Sequence, residues 1–443
     1  MSIQSKLGRW DLTMVVVSFV IGVGIFKTPG LIAAEAGTPF IFYASWILGG
    51  FVSVCGALTI AEIGARLPAA GGYYRIFSYS YHPTFAFMCN WALVIINAGG
   101  AVAVALVGAE YIQPVIVPAA WQNTISVSVI AISILTFLFL LNYAGIKMGA
   151  KVQNVLSSLK IIMILLLCLA VFGNKTVNNP AVTIQQSTST ALAAMGFCLI
   201  KVFFSFRGYQ NTINLGADTK DPQRNIPLAI FGGMFIIVTL YMLINIAYVQ
   251  VIGFENMKNK PLLACELAKS FFGDAGFKIT SVIVFTSVLG FLNTAFMNNP
   301  RIYYAMAEDK ILPPIFKKVN DKTQTQEFGL SFFFGLILFS FFFLRGFERI
   351  VDYIIFIDCM SLVFAAITLF VLRRRMKNDN YTGFRMKLYP LFPVIFILVL
   401  LFVCGSVFAS DLLATGVGIG VFLAGYPLFL LLRKVSENSK ISE

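Results

Sequence analysis

Charge is what this chain has least of. Asp, Glu, Lys and Arg make up only 12% of its 443 residues, about half of the roughly 25% usual in soluble domains. Histidine is nearly absent: the single one, His82, stands beside Pro83 where a loop is expected. The apolar runs hold no Ser–His pairing and no metal-spaced acids, so the parts of triad-type or metal-assisted chemistry are missing. The seven cysteines (Cys55, Cys89, Cys168, Cys198, Cys265, Cys359, Cys404) form no C-x-x-C pair and no zinc spacing, and are expected to be free thiols in apolar surroundings. Low-complexity tracts, long linkers and a separate soluble domain are also lacking.

What is there is apolar. Hydrophobic residues make up 58% of the chain, in recurring runs long enough to cross a hydrocarbon layer of about 30 Å. The sequence reads as an all-α polytopic membrane protein of about twelve spans. These lie at 10–34, 40–66, 83–114, 121–141, 150–172, 191–218, 227–252, 277–307, 328–344, 350–372, 389–407 and 412–432. An even number puts both termini on one side. Most Lys and Arg fall at the termini or in even-numbered loops, "RRRMK" (Arg373–Lys377) and Lys317–Lys318 most clearly, which makes that side cytoplasmic. The net charge of +13 follows from these loops and calls for no nucleic-acid partner. The mixed-charge segment "ENMKNKPLLACELAKSFFGDAG", with Lys258, Lys260 and Lys269, is expected to be a structured extracellular loop. The first run shows no small-residue cleavage site before the next span and is expected to be retained.

Within spans, three cations stand out (Lys160, Lys201, Arg207) and one acid, Asp358. Such groups are costly in lipid and usually face a bundle interior or a water cavity. Two spans look broken. The first, "VVVSFVIGVGIFKTPG", carries Gly22 and Gly24 at its centre, each costing roughly 1 kcal/mol of helix stability against Ala. The sixth, "ALAAMGFCLIKVFFSFRGYQNTINLGAD", is too long for one crossing and polar in its middle, with Ser205, Arg207, Gly208, Gln210, Asn211 and Asn214. Each opens a block of five spans, and an odd count inverts the second block. Paired interruptions in corresponding positions point to a transporter site at mid-membrane. Unwound N–H groups attract an anion there and free carbonyls a cation, a pair suited to a zwitterion. The plainer reading, that Gly22 and Gly24 only let helices pack closely, explains the first break but not the second.

These residues resemble the amino acid–polyamine–organocation (APC) permeases, and within them the bacterial relatives of the L-type amino acid transporters. "GVGIF" (Gly22–Phe26) is similar to that family's first-helix motif. "SWILGGFVSVCGALTIAEIGARLPAAGGYYRIF" (Ser45–Phe77) resembles its second span and following loop. "FFSFRGYQNTINLGADTKDPQRNIPLAI" (Phe203–Ile230), "NNPRIYYAMAEDKILP" (Asn298–Pro313) and "DYIIFIDCMSLVFAAITLFVLRRR" (Asp352–Arg375) extend the likeness over nearly the whole chain. The resemblance implies a LeuT-like fold with helices 1 and 6 discontinuous. The first inverted repeat would be 1–172, the second 187–375, and two further helices with a cytoplasmic C-terminus would fill 385–443. It also implies a site. The substrate carboxylate would meet N–H groups around Gly22, Val23 and Gly24, and the ammonium carbonyls near Val20, Phe204 and Arg207. Phe206, Gly208 and Tyr209 would shape the pocket and its outer gate, beside Asn97, Ala98 and Gly99. Lys160 would act as a built-in substitute for sodium, bridging spans one and eight. A snorkelling side chain at a helix end, the other role open to it, fits poorly with a mid-span position.

Two positions depart from the family pattern. Val23 stands where Ser is usual, removing a hydroxyl from the carboxylate site. Arg207 stands where Gly or an aliphatic residue is usual. Three roles are open to it: recognising an acidic substrate group, pairing with Asp358 as an outer gate, or pointing into the surrounding protein. Lys201 competes for the same acid. Asn293 either lines the cavity or bonds between helices. The expected function is sodium-independent transport of neutral L-amino acids across the cell membrane by alternating access, as exchanger or proton-coupled carrier. No cofactor, enzymatic activity or covalently tethered heavy subunit is expected; the partners are an amino acid substrate and the lipid bilayer. Acidic, cationic or polyamine substrates and a non-transporting amino acid sensor are the alternatives. A channel would need a continuous polar stripe, whereas the polar residues gather at two interruptions.

Overall fold

The computed structural model describes residues 8–68, 72–144, 149–169, 188–258, 260–320, 325–343, 347–376 and 381–438. The expected repeat junction around 172–187, the end of span nine at 344 and Lys377 lie outside these, as do both chain ends and the side chain of Asn214. Regular structure among the described residues is helical. α1 (Arg9–Val20) and α2 (Gly24–Ala36) meet at a break over 21–23, bent by 42°. α3 (Pro39–Arg66) starts where Thr38 accepts a hydrogen bond from the Ile41 N–H and Pro39 takes the first turn, the position where its missing N–H costs nothing. A short α4 (Gly72–Ser80) leads to α5 (Pro83–Ile116), whose cap is His82, accepting from the Thr84 N–H. The lone histidine thus has a structural task.

α6 (Thr124–Ala144) and α7 (Gly149–Leu169) precede α8 (Thr188–Phe206), which stops at a turn and continues as a 3₁₀ helix, Tyr209–Asp218. α9 (Pro222–Val251) and a one-turn α10 (Phe254–Met257) follow. α11 (Leu263–Glu308) leaves helical geometry at Gly273 (φ 60°). Its first part therefore belongs to the expected structured loop, and its remainder matches span eight. α12 (Glu327–Phe343), α13 (Phe347–Arg375), α14 (Leu391–Ser410) and α15 (Leu412–Asn438) complete the chain. Nine described segments are long and apolar enough to cross a membrane, and the bent α1–α2 pair makes a tenth. The apolar stretches Ser158–Leu169 and Glu327–Phe343 are shorter. The protein is an all-helical, multi-pass membrane protein.

α5 forms the centre. In its apolar window 83% of residues are buried, against 22% in α6 and in the final apolar segment Thr415–Leu432, so the latter two face lipid. α9 packs on α1, α3 packs on α8, and α11 touches both α1 and α2. At the end bearing α4, Glu62 is wholly buried yet fully engaged. It accepts from Arg66 Nε (2.9 Å), from Arg373 Nε (2.9 Å) and Nη2 (2.7 Å), and from the Met386 N–H (2.9 Å). A buried carboxylate so bonded is tolerable where an unpaired one is not. One of the arginines counted for membrane orientation therefore also ties α13 and the 381–390 segment to α3.

Candidate substrate site at the two helix breaks

The two breaks touch. A Cβ on Gly24 would lie 2.8 Å from Ser205 Cα, and one on Gly208 would lie 2.3 Å from the Phe19 carbonyl oxygen, where φ is also +129°. Only glycine meets either demand. Tyr241 of α9 binds the broken ends together: its Oη lies 3.0 Å from the Val20 carbonyl oxygen and 3.1 Å from that of Ser205. Ser205 Oγ and Thr28 Oγ1 are 2.6 Å apart, joining α8 to α2.

Between the breaks lies a cavity of about 80 Å³, walled by Gly22, Val23 and Gly24, by Phe204, Arg207 and Gly208, and by faces of α5 and α11. Gly22 faces it without crowding, since a Cβ there would meet Phe291 at an ordinary 3.7 Å. α2 begins at this cavity. Its first backbone bonds run from the Phe26 and Lys27 N–H groups to the Val23 carbonyl. The N–H groups of Val23, Gly24 and Ile25 have no backbone acceptor among the described residues, as the first turn of any helix dictates. Helix-start N–H groups carry partial positive charge. Across the cavity, α8 ends and presents the negative pole of its own dipole. The Val20 carbonyl is less available than the sequence implies, because it already accepts from the Gly22 N–H at 2.7 Å and lies near Tyr241 Oη.

Arg207 lines the cavity but is committed. Its Nε lies 3.2 Å from Asp358 Oδ2 and its Nη2 donates to Asn97 Oδ1 at 3.1 Å. A guanidinium only donates, so the Asn97 amide must turn its oxygen toward it. Asn97 Nδ2 then donates to Asn299 Oδ1 (2.9 Å), and Asn299 Nδ2 to the Ala295 carbonyl (2.8 Å). One directed chain of bonds joins α13, the second break, α5 and α11. It sits beside Tyr73, Asn90 and Gln210, on the side toward α4.

Lys160 is buried, and its Nζ donates to the Ile21 carbonyl at 3.1 Å, inside the first break; among the described residues no bond joins it to α11. Several expected residues lie elsewhere. Phe206 does not line the cavity; its ring packs on Trp46 and Tyr241, both 5.9 and 5.1 Å away respectively. Tyr209 is likewise buried outside it, against Gly56. The wall of α5 is Asn97, Gly100, Ala101 and Val104, not Ala98 and Gly99, the spacing of one helix face. Asn293 bonds Asn142 of α6 at 2.8 Å and is absent from the wall.

Sequence reasoning missed a fourth cation inside a span. Lys27 of α2 pairs with Glu110 of α5, with side chains 11% and 29% exposed. Beside this pair, Tyr111 Oη donates to the Phe26 carbonyl at 2.8 Å. These contacts join α2 to α5 beyond Gly24 and Val104, on the side away from α4. It also missed Asn298, Asn299 and Phe291 in the wall; for the two asparagines the signal was their polarity within an apolar span.

A cavity walled by two broken helices defines a small-molecule carrier of the membrane, and comparison with known proteins agrees. The amino acid permease family model matches residues 7–429, and the chain belongs to that family, within the APC superfamily. It is 29% identical to the serine/threonine exchanger SteT of Bacillus subtilis (strain 168), over 98% of both chains. It is 26% identical to the glutamate/serine transporter AimA of the same organism, over 96% of this chain and 81% of that protein. The human large neutral amino acids transporter small subunit 2 is 22% identical over 97% of this chain and 81% of its own. The family and these relatives are transporters, and the protein is an amino acid permease.

Proposed function

We propose that the protein is a sodium-independent exchanger of small neutral L-amino acids, working by alternating access. The observation that carries this reading is the cavity itself: helix-start N–H groups on one wall, a helix end on the other, and an arginine already neutralised by Asp358. The carboxylate would sit on Val23 and Gly24, and the ammonium on carbonyls of the second break. The cavity is small, about 80 Å³, which favours small amino acids such as alanine, serine or threonine. Asn97, Asn211, Asn298 and Ser205 offer partners for a side-chain hydroxyl. The likeness to a serine/threonine exchanger supports the same choice.

In this reading Lys160 holds the carbonyl that a sodium ion would otherwise need. Repeats 1–172 and 187–375 are inverted copies, twelve helices cross the cell membrane, 385–443 carries the last two, and both termini are cytoplasmic. With that orientation the Arg207–Asp358 chain is an inner gate rather than the outer gate anticipated from sequence, and Lys27–Glu110 closes the outside. Such a carrier needs no heavy subunit or cofactor. Arg207 in the wall and the likeness to a glutamate/serine transporter favour one second reading, an acidic substrate.

Proteoliposomes decide between them. Labelled serine should enter only when the lumen holds serine or threonine, equally with and without sodium. Uptake into amino-acid-free vesicles at the same rate, or a sodium requirement, would refute exchange. Uptake of glutamate in preference to serine would establish the acidic reading.

A further inference from the structure

A second cavity lies apart from the first, at the end of the bundle bearing α4. It holds about 210 Å³ between Trp91 and Val94 of α5, Tyr303 of α11, Phe316, Phe332 of α12 and Leu428 of α15. The surface it exposes is apolar; the polar atoms of two lining residues, Trp91 Nε1 and Tyr303 Oη, are buried without a partner among the described residues. Phe332 and Leu428 are only half-buried, so the space reaches the molecular surface. That surface is hydrocarbon: Leu430 and Leu431 of α15 are 48% and 64% exposed.

The chain next to Phe316 is basic, and Lys318 also faces a separate cleft that contains Glu327. The segment that supplies Phe316 also carries exposed Lys310, Lys317 and Lys318. The acids that precede them are engaged elsewhere: Arg75 Nη1 lies 2.7 Å from Asp309 and its Nη2 3.4 Å from Glu308, and Tyr74 Oη donates to Asp309. Among the described residues these three lysines form no ion pair. Basic residues at a membrane surface attract anionic lipid.

We propose that this cavity holds one acyl chain of an anionic phospholipid whose phosphate lies against Lys310, Lys317 and Lys318. The bilayer at the mouth supplies the hydrocarbon, and the rim selects the headgroup. Trp91 and Val94 precede Asn97 on α5, and Tyr303 follows Asn299 and Ile302 on α11. The bound chain therefore wedges the two helices that form one wall of the candidate substrate cavity.

Trp91 is the reporter. In full-length protein carrying Trp10→Phe and Trp121→Phe, Trp46 remains wholly buried and Trp91 alone lines the cavity. Vesicles of phosphatidylcholine are doped with phosphatidylglycerol or phosphatidylcholine bearing the same brominated acyl chains. The brominated phosphatidylglycerol should quench Trp91 at a mole fraction about fivefold lower or less, the factor for one lysine near an anionic surface. Lys310→Gln, Lys317→Gln and Lys318→Gln together should erase that difference while leaving thermal unfolding unchanged. Leu428→Phe, which fills the cavity, should reduce quenching by both lipids. Equal quenching by the two lipids in the parent, a preference that survives loss of the lysines, or quenching unaffected by filling would each overturn the proposal.

Discussion

Gly24 and Gly208 let the two breaks touch, because no side chain fits there. Gly208→Ala drives a methyl into the Phe19 carbonyl at a backbone angle that alanine resists. Gly24→Ala meets Ser205 backbone. Either should cost about 1–3 kcal/mol or more of stability, read as a lower melting temperature and lost uptake. Gly22→Ala meets the Phe291 ring and the Val20 carbonyl at ordinary contact distances of 3.7 and 4.0 Å; it should keep the melting temperature and raise the KM for serine, because the methyl enters the cavity. An unchanged KM would remove Gly22 from the site. Tyr241→Phe removes the one hydroxyl proton shared between the Val20 and Ser205 carbonyls and should cost about 1–3 kcal/mol with no change in substrate preference. Asp358→Asn uncovers Arg207. Glutamate should then compete with serine about tenfold better or more, which is roughly 1.4 kcal/mol; competition that does not change would mean that Arg207 lies outside substrate reach.

The breaks were legible at the scale of single elements. Glycines inside an apolar run, and a run too long and too polar in its middle, are local signals. The facing of residues beyond a break was not legible, because the break resets helical phase. Tyr209, on the far side of the second break, could not be placed by counting along α8, and it is buried against Gly56 instead of lining the cavity. Lys27 and Glu110 were missed because each lies near a span's end, where a charge attracts no notice. Glu62 was missed because its partner Arg373 is 311 residues away in sequence. The Lys27–Glu110 pair joins α2 to α5, elements that must part if the cavity is to open at that end. Glu110→Gln should therefore raise labelling of a cysteine placed at Val104 by a membrane-impermeant reagent added outside. Lys27→Glu combined with Glu110→Lys should restore the low labelling. Labelling unchanged in the single variant would show that the pair does not hold that end closed.

For the whole molecule, the helical, multi-pass architecture and the family could be read from composition and motifs, since both depend on patterns spread along the chain. The cavity's size, and which polar groups are already satisfied, depend on packing between distant segments and emerge only in three dimensions. Neutralisation of Arg207 by Asp358 is the clearest case, because it turns a cationic wall into one suited to a substrate of no net charge. Lys160 extends the logic to the transport cycle. Lys160→Ala leaves the Ile21 carbonyl without its donor and should slow exchange by about tenfold or more, the effect of losing roughly 1.4 kcal/mol from the transition state, with serine binding weakened.

The most direct test is a structure of the protein with serine bound. Its carboxylate should lie about 2.7–3.2 Å from the N–H groups of Val23 and Gly24, while Arg207 stays on Asp358. A carboxylate held instead by the Arg207 guanidinium, with both N–H groups unengaged, would contradict the account.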